Sequence, residues 1–431
     1  MYLHSANWRI SNKIINGKLP SYEEVYEMNL LWGLLGIVVV LGIAFLFSIG
    51  KKSINYRTII VGLIIQVTFA FVVLKWEAGR AALIAFSGLV QNVIDYAGEG
   101  VAFLFGPAAD VEGFGFVFAF QVLTIIIFFS SLISVLYYLG IMQMVIKLIG
   151  GALSKLLGTS KAESVSAAAN IFVGQTEAPL VIRPFLANMT KSELFAVMTG
   201  GLASVAGSVL AGYALLGVPL EYLIAASFMA APGGLVMAKI MIPETEKSEV
   251  AEFEMGKDQE SVNVIDAAAR GAGDGLKLAL NVGAMLLAFI ALIAMMNGML
   301  GGIGELLFDF ESLTVEGILG VLFAPLAFAI GVPWSEAVTA GGFIGQKLVL
   351  NEFVAYASFA PEIASLSPKT VIVVSFALCG FANLSSLAIL LGGLGALAPT
   401  RRPDIARLGI RAVVAGMLAS LLSAAIAGMF I

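Results

Sequence analysis

The chain has 431 residues, of which 59% are hydrophobic and 12% charged, with a formal net charge of −5. A soluble domain carries about twice that share of charge, so the composition excludes an ordinary soluble enzyme and a disordered chain, and the acidic balance excludes a nucleic-acid binder. With a single cysteine, Cys379, and a single histidine, His4, an intrachain disulfide, a thiolate or histidine metal cluster and a Ser-His pair in the core are excluded too.

What remains is an all-α polytopic membrane protein. A helix needs about 20 apolar residues to cross a hydrocarbon core of about 30 Å. The first 28 residues carry Arg9, Lys13 and Lys18, then Glu23, Glu24 and Glu27, and read as a short amphipathic segment without a signal-type cleavage site. Eight runs are predicted as spans: residues 29–50, 58–74, 113–146, 194–217, 222–238, 278–304, 370–400 and 412–431. The third is too long for one upright crossing and predicts a span with an interfacial continuation. No strand-like alternation accompanies them, which argues for a helical bundle and against a barrel.

Lys and Arg placement predicts sidedness. Lys51, Lys52 and Arg57 lie between spans one and two; Lys147, Lys155 and Lys161 follow span three. Lys247, Lys257, Arg270 and Lys277 separate spans five and six, and Arg401, Arg402, Arg407 and Arg411 separate seven and eight. Acidic segments alternate with them: Glu99, Asp110 and Glu112, then Glu305, Asp309, Glu311 and Glu316. Eight spans with both termini outside put every cluster in the cytoplasm; only the N-terminal basic residues are discordant. The polar, acid-rich stretch 245–259 reads as a solvated loop.

Two apolar stretches do not fit as plain spans. Residues 164–188 are interrupted by Gln175, Thr176, Glu177, Pro179 and Arg183, and residues 333–358 by Glu336, Lys347, Asn351 and Glu352. Re-entrant hairpins account for such interruptions, because irregular backbone is tolerated at membrane depth where it lines a cavity. Each stretch is followed by a Gly-apolar-Ala-(Ser/Asn) run, Gly201 to Ser204 and Gly380 to Asn383. One hairpin enters from each side in this topology, so the pair forms an inverted repeat, the arrangement that places a substrate site at the bilayer midplane.

Glu177 and Glu352 are the acids deepest in apolar sequence, and such acids are functional candidates. The structural alternative is an ion pair with Arg183 or Lys347. Gln175, Thr176, Asn351, Asn383, Ser385 and Ser386 add neutral donors and acceptors; helix–helix glue is their alternative reading. Together they fit a neutral, multiply hydrogen-bonding solute. No pair of cations at the hairpin tips provides for a phosphate. Asn170 and Ser204, with neighbouring carbonyls, are candidate sodium ligands. Gly271-Ala-Gly273-Asp274 matches a string of intramembrane aspartyl proteases, but no Tyr-Asp partner exists in the chain, and the match is read as coincidence. Cys379 reads as a small packing residue.

Gly174-Gln-Thr-Glu-Ala-Pro-Leu180, Gly345-Gln-Lys-Leu-Val-Leu-Asn-Glu-Phe-Val-Ala-Tyr356 and Cys379-Gly-Phe-Ala-Asn-Leu-Ser-Ser386 closely resemble the concentrative nucleoside transporter family, and the likeness runs from about residue 30 to the end. The resemblance implies a homotrimer in a bacterial cytoplasmic (inner) membrane that imports nucleosides such as uridine, cytidine or adenosine with sodium or, in some bacteria, protons. It implies no enzymatic activity. It also implies an elevator-type movement of a transport domain carrying both hairpins and the unwound helices after them.

At matching positions, Gln175, Thr176 and Glu177 face the nucleobase between Val209 and Leu278. Glu352, Asn383 and Ser386 take the ribose hydroxyls, with Phe381 beside them. Asn170 and Ser204, with the carbonyls of Val173 and Val205, match the sodium site. The expected organisation is an N-terminal segment 1–28, a mainly scaffold block 29–162, transport-domain segments 163–217 and 305–400, spans five and six within 218–304, and a last span within 401–431. An ion-translocating subunit and an intramembrane hydrolase are the rival readings.

Overall fold

The computed structural model describes residues 22–110, 113, 115–248, 261–308 and 313–431, and among them every regular element is a helix. Expectations for His4, Arg9, Lys13, Lys18, Glu112, Lys257, Asp309 and Glu311, and for most of the acid-rich loop, lie outside the described residues, as do those for the side chains of Glu23, Glu24 and Glu305.

The first half comprises α1 (Tyr22–Leu46), α2 (Tyr56–Ala70, extended by a π turn, Phe71–Lys75), α3 (Glu77–Phe105), α4 (Leu123–Tyr138, preceded by the turn Phe118–Gln121) and α5 (Ile141–Leu157). A hairpin follows, made of α6 (Lys161–Ala169) and a 3-10 run, Ala178–Asn188; then α7 (Lys191–Ala203), α8 (Gly207–Leu215) and α9 (Leu220–Met241). The second half holds α10 (Val264–Phe308), α11 (Val315–Ala329), a hairpin of α12 (Trp334–Val349) and α13 (Glu352–Phe359), then α14 (Pro368–Leu378), α15 (Leu384–Leu397) and α16 (Arg402–Ala427).

Among the described residues, eight helical stretches are long and apolar enough to cross a membrane. They differ from the expected eight at two places. Residues 370–400 are not one helix: the chain unwinds over 379–383 into two shorter helices, α14 and α15. Glu77–Ala109 qualifies instead, although Glu77, Arg80, Asp95 and Glu99 interrupt its apolar run. Its neighbours decide its course. Val122 packs at Gly212 on α8 and Ile133 at Gly207, so α4 begins at the end of the bundle where α8 finishes. α2 finishes at that end as well. With both of its ends on one side, α3 lies along that face, and eight crossings remain once α14 and α15 are counted together.

The basic clusters converge at the other end. Arg57 donates to the carbonyl of Lys155 (3.4 Å) and Thr58 to that of Leu157 (2.9 Å). Ile49 N–H donates to Met241 O (3.0 Å), Arg411 to Phe47 O (3.3 Å), and Arg401 to the carbonyls of Ala187 and Met189. Residues 113–146 divide as expected: α4 closes at Gly140, whose φ of 79° is the left-handed region glycine favours, and α5 continues to Thr58.

The apolar windows of Lys191–Leu215, Leu220–Met241 and Pro399–Phe430 are each 94% buried, against 17–33% in the other five. The second-half helices repeat the first half upside down. α5 lies on α6 and α11 on α12, the latter pair turned back through 116°. α7 and α8 part at Ser204, α14 and α15 at Cys379–Asn383, and the two breaks meet: Phe381 N–H donates to Ser204 O (3.1 Å). Ser367 and Lys369, which open α14, stand at the end opposite the basic clusters, where Lys369 reaches Asn29 (2.5 Å) and Asn29 reaches the carbonyl of Ile431 (2.6 Å). α11 was not expected. Its uncharged run merges in sequence with the hairpin that follows.

The α11–α12 contact depends on glycine. A Cβ at Gly341 would sit 2.6 Å from Gly320 O and 2.8 Å from Ala324 N, so Gly341→Ala should lower stability by about 1–3 kcal/mol, as overpacking does. At exposed, open Gly392 the same change should be neutral or slightly stabilising. Thermal unfolding of the two purified variants in detergent measures the difference.

Candidate functional site

Two asparagines organise the second hairpin and its break. Asn351 caps α13, its Oδ1 accepting from Val354 N–H (2.9 Å); Asn383 caps α15, accepting from Ser386 N–H (2.7 Å). Each cap opens a half-helix inside the protein, and the N-terminal end of a helix carries partial positive charge. Glu352, the first residue of α13, is 5% exposed. Its carboxylate accepts from Tyr213 Oη (3.1 Å) and from Asn383 Nδ2 (2.9 Å). A buried carboxylate held by a phenol, an amide and a helix N-terminus is oriented and remains able to accept further hydrogen bonds. Ser385 Oγ donates to Asn383 Oδ1 (2.7 Å), and Ser386 is buried beside it.

The first hairpin presents Gln175, Thr176 and Glu177. Gln175 is buried with its Oε1 unpartnered, Thr176 is half-buried and Glu177 exposed. The tip seats on two glycines: a Cβ at Gly201 would meet Gln175 Cβ at 2.9 Å, and one at Gly393 would meet Thr176 Cγ2 at 2.7 Å. Asn383 and Gly393 are ten residues apart along α15, about 15 Å at helical rise. The two polar tips therefore address different levels of one helix. Val209 on α8 is buried, and Phe381 is half-buried in the break. Leu278 is half-buried on α10.

Asn170 ends α6 and is 1% exposed. Its Nδ2 donates to Ser166 O (2.9 Å) and faces Gly200, while its Oδ1 has no partner. Ser166 Oγ and Thr199 Oγ1 are likewise buried without a partner. Ser204 Oγ donates to Gly200 O (3.1 Å). Val173 and Val205 are buried in the hairpin turn and the break, which are joined by Gly207 N–H donating to Phe172 O (3.0 Å). Unpaired buried oxygens are costly. A cation that takes neutral oxygens would satisfy this set.

The structure thus brings Glu352, Asn383 and Ser386 into one cluster and Asn170 and Ser204 to the end of one half-helix. Among the described residues, neither Glu177 with Arg183 nor Glu352 with Lys347 forms an ion pair. Asp274 is instead a surface residue paired with Lys277 (3.1 Å). Sequence reasoning missed Tyr213, Thr199 and Ser166. Tyr213 lies in an uncharged run with nothing local to mark it, and only folding brings it to Glu352, 139 positions away.

Crossed broken helices, two opposed polar hairpins and a buried polar site between them define an α-helical membrane transporter. Residues 35–108 match the N-terminal part of the Na+ dependent nucleoside transporters, residues 222–428 their C-terminal part, and residues 119–220 the nucleoside recognition "Gate" family. The chain is 64% identical over 406 residues to the uncharacterized transporter YutK of Bacillus subtilis, covering 94% of this chain and 100% of that one. It is 54% identical over 412 residues to the nucleoside permease NupC of Helicobacter pylori, covering 93% and 98%. A solved structure of CNTnw in an inward-facing substrate-bound state is similar, with a TM-score of 0.89 and 59% identity over 94% of this chain and 98% of that one. The chain belongs to the concentrative nucleoside transporter family and is a transporter, not an enzyme.

Tyr213→Phe tests the Glu352 cluster without substituting any hairpin residue. It leaves a buried carboxylate oxygen one donor short, and it should destabilise the protein by about 1–3 kcal/mol, read as a lower unfolding temperature than that of the parent.

Proposed function

We propose that the protein imports neutral nucleosides together with sodium across a bacterial cytoplasmic membrane. The observation that carries this reading is Glu352, buried and held by Tyr213 and Asn383 at the start of a half-helix, in line with a second tip of amide, hydroxyl and carboxylate groups. In this reading Glu352, Asn383 and Ser386 hold the ribose hydroxyls with Phe381 alongside. Gln175, Thr176 and Glu177 address the base between Val209 and Leu278. A phosphate would meet buried Glu352, where like charges are poorly screened, with Glu177 a second like charge at the other tip, so nucleotides are rejected.

Sodium is the co-transported ion, taken by Asn170 and Ser204 with the carbonyls of Val173 and Val205. The unpartnered Asn170 Oδ1 supports this, because neutral oxygens suit sodium whereas proton coupling requires a titrating group. The ion orders the tip that presents Gln175 to Glu177, and by linkage ion and nucleoside each raise the other's affinity by the same factor. The basic end faces the cytoplasm, following the positive-inside rule, with both termini outside. The inner bundle moves elevator-fashion against a scaffold centred on α4 and α10, within a homotrimer.

Uptake of uridine, cytidine and adenosine into proteoliposomes, with and without sodium and at two pH values, tests the whole reading. Sodium-driven uptake that nucleoside monophosphates fail to inhibit is expected. Uptake indifferent to sodium but abolished when the proton gradient collapses would transfer the coupling role to Glu177.

Two substitutions separate the subsites. Glu352→Gln should weaken ribonucleoside affinity by about one to two decades, the equivalent of a lost charged hydrogen bond; unchanged affinity in folded protein would remove Glu352 from the ribose site. Asn170→Ala should raise the sodium concentration for half-maximal uptake while the substrate contacts persist.

A further inference from the structure

Lys347 is a fully buried cation, and neither the substrate site nor the ion site uses it. It lies in α12 with no exposed surface. Its ammonium donates to Ala377 O (2.7 Å) and Ser420 Oγ (2.8 Å). Ala377 is in the last turn of α14, a half-helix that stops in the interior of the protein. The last carbonyls of a helix lack intrahelical donors and carry the negative end of its dipole, so in a membrane they call for a cation.

The repeat shows what stands at the corresponding place in the first half. The N-cap residues of the two half-helix pairs, Thr190 and Ser367, then Ala206 and Asn383, are separated by the same interval of 177 positions. That interval carries Lys347 back to Asn170 and Ala377 back to Gly200. Asn170 faces Gly200 near the end of α7, as Lys347 faces Ala377 near the end of α14. One repeat therefore puts an amide with an unpartnered oxygen before its half-helix C-terminus, and the other puts an ammonium.

We propose that Lys347 is a tethered cation occupying, in the second repeat, the position at which the first repeat binds its exchangeable ion. This rests on reading the Asn170 cluster as the ion site. Lys347 is then a positioning residue. It fixes α12 to the end of α14 and so sets the second tip, with Asn351 and Glu352, against Asn383. It also limits each protomer to one exchangeable ion at this pair of positions, because the second place is filled by the chain itself.

Full-length Lys347→Met and Lys347→Asn, reconstituted beside the parent, test this. The Met variant keeps the apolar stem and loses the charge; nucleoside affinity should fall about ten- to a hundredfold, the range of one charged hydrogen bond. The Asn variant installs the side chain of the first repeat. It should regain affinity as sodium rises, with a steeper sodium dependence than the parent, and show no recovery in choline. A role in packing alone predicts no such recovery. Met variant affinity equal to that of the parent, or an Asn variant as indifferent to sodium as the Met variant, would overturn the proposal. Should the Met variant not fold, thermal unfolding of the Asn variant in sodium against choline decides: stabilisation by sodium beyond that of the parent supports the tethered cation, and equal stabilisation or no folded protein in either salt refutes it. Parental uptake indifferent to sodium would reject the ion site itself, and the Met variant would still judge the charge of Lys347.

Discussion

A helix that stops inside a membrane leaves backbone groups that lipid cannot satisfy, and this fold contains several such ends in its interior. Some are answered by a distant segment and others by the helix's own cap. Phe172 O receives Gly207 N–H, and Ser204 O receives Phe381 N–H. Asn351 and Asn383 cap the starts of two half-helices, and Lys347 meets the end of a third. Breaking helices inside the bundle brings polar side chains together there, and those side chains make up the candidate site.

The hairpin bases are secured differently from the tips. Glu163, third in α6, pairs with Lys239 (2.7 Å) and accepts from Ser160 N–H (2.7 Å). Lys239 also donates to Ser192 on α7 (2.9 Å). Glu336, third in α12, accepts from the amide and hydroxyl of Ser367 at the start of α14 (3.1 and 2.8 Å). Each hairpin is thus tied at its base to the half-helix that follows by the acid third in its first helix, directly in the second hairpin and through Lys239 in the first. The base acids Glu163 and Glu336 are held by an ammonium and by Ser367, whereas Gln175 and Asn170 at the first tip keep unpartnered oxygens.

Much of this was legible in the residues. Uncharged runs gave the crossings, polar interruptions gave both hairpins, and the matched Glu, Gly and Ser/Asn spacing gave the repeat. Other features were not local. α3 is hard to read as a helix of the bundle because its four charges break the apolar run, and its course along one face emerges only from what lies at its two ends. α11 is hidden because a tight turn joins two apolar helices without a polar marker. Tyr213 and Lys347 act through partners 139 and 30 positions away, a separation no spacing rule encodes. The sequence offers Lys347 as a counter-ion for Glu352, whereas in the structure its ammonium meets a carbonyl and a hydroxyl. The roles of individual site residues rest on chemistry at the tips, which sequence names but does not orient.

The link between α4 and α5 consists of Leu139 and Gly140 alone. Two residues at full extension reach about 7 Å. α4 is paired with α10, whereas α5 is pinned to Thr58 and to the first hairpin. This link is therefore the shortest leash between the inner bundle and the α4–α10 pair. Travel along the membrane normal beyond that length requires α5 to swing about Gly140, whose left-handed conformation is open to few other residues. In the elevator movement proposed above, the stroke is geared to the rotation of one helix, and a bulkier residue at this pivot would shorten the throw without touching any group proposed to handle cargo.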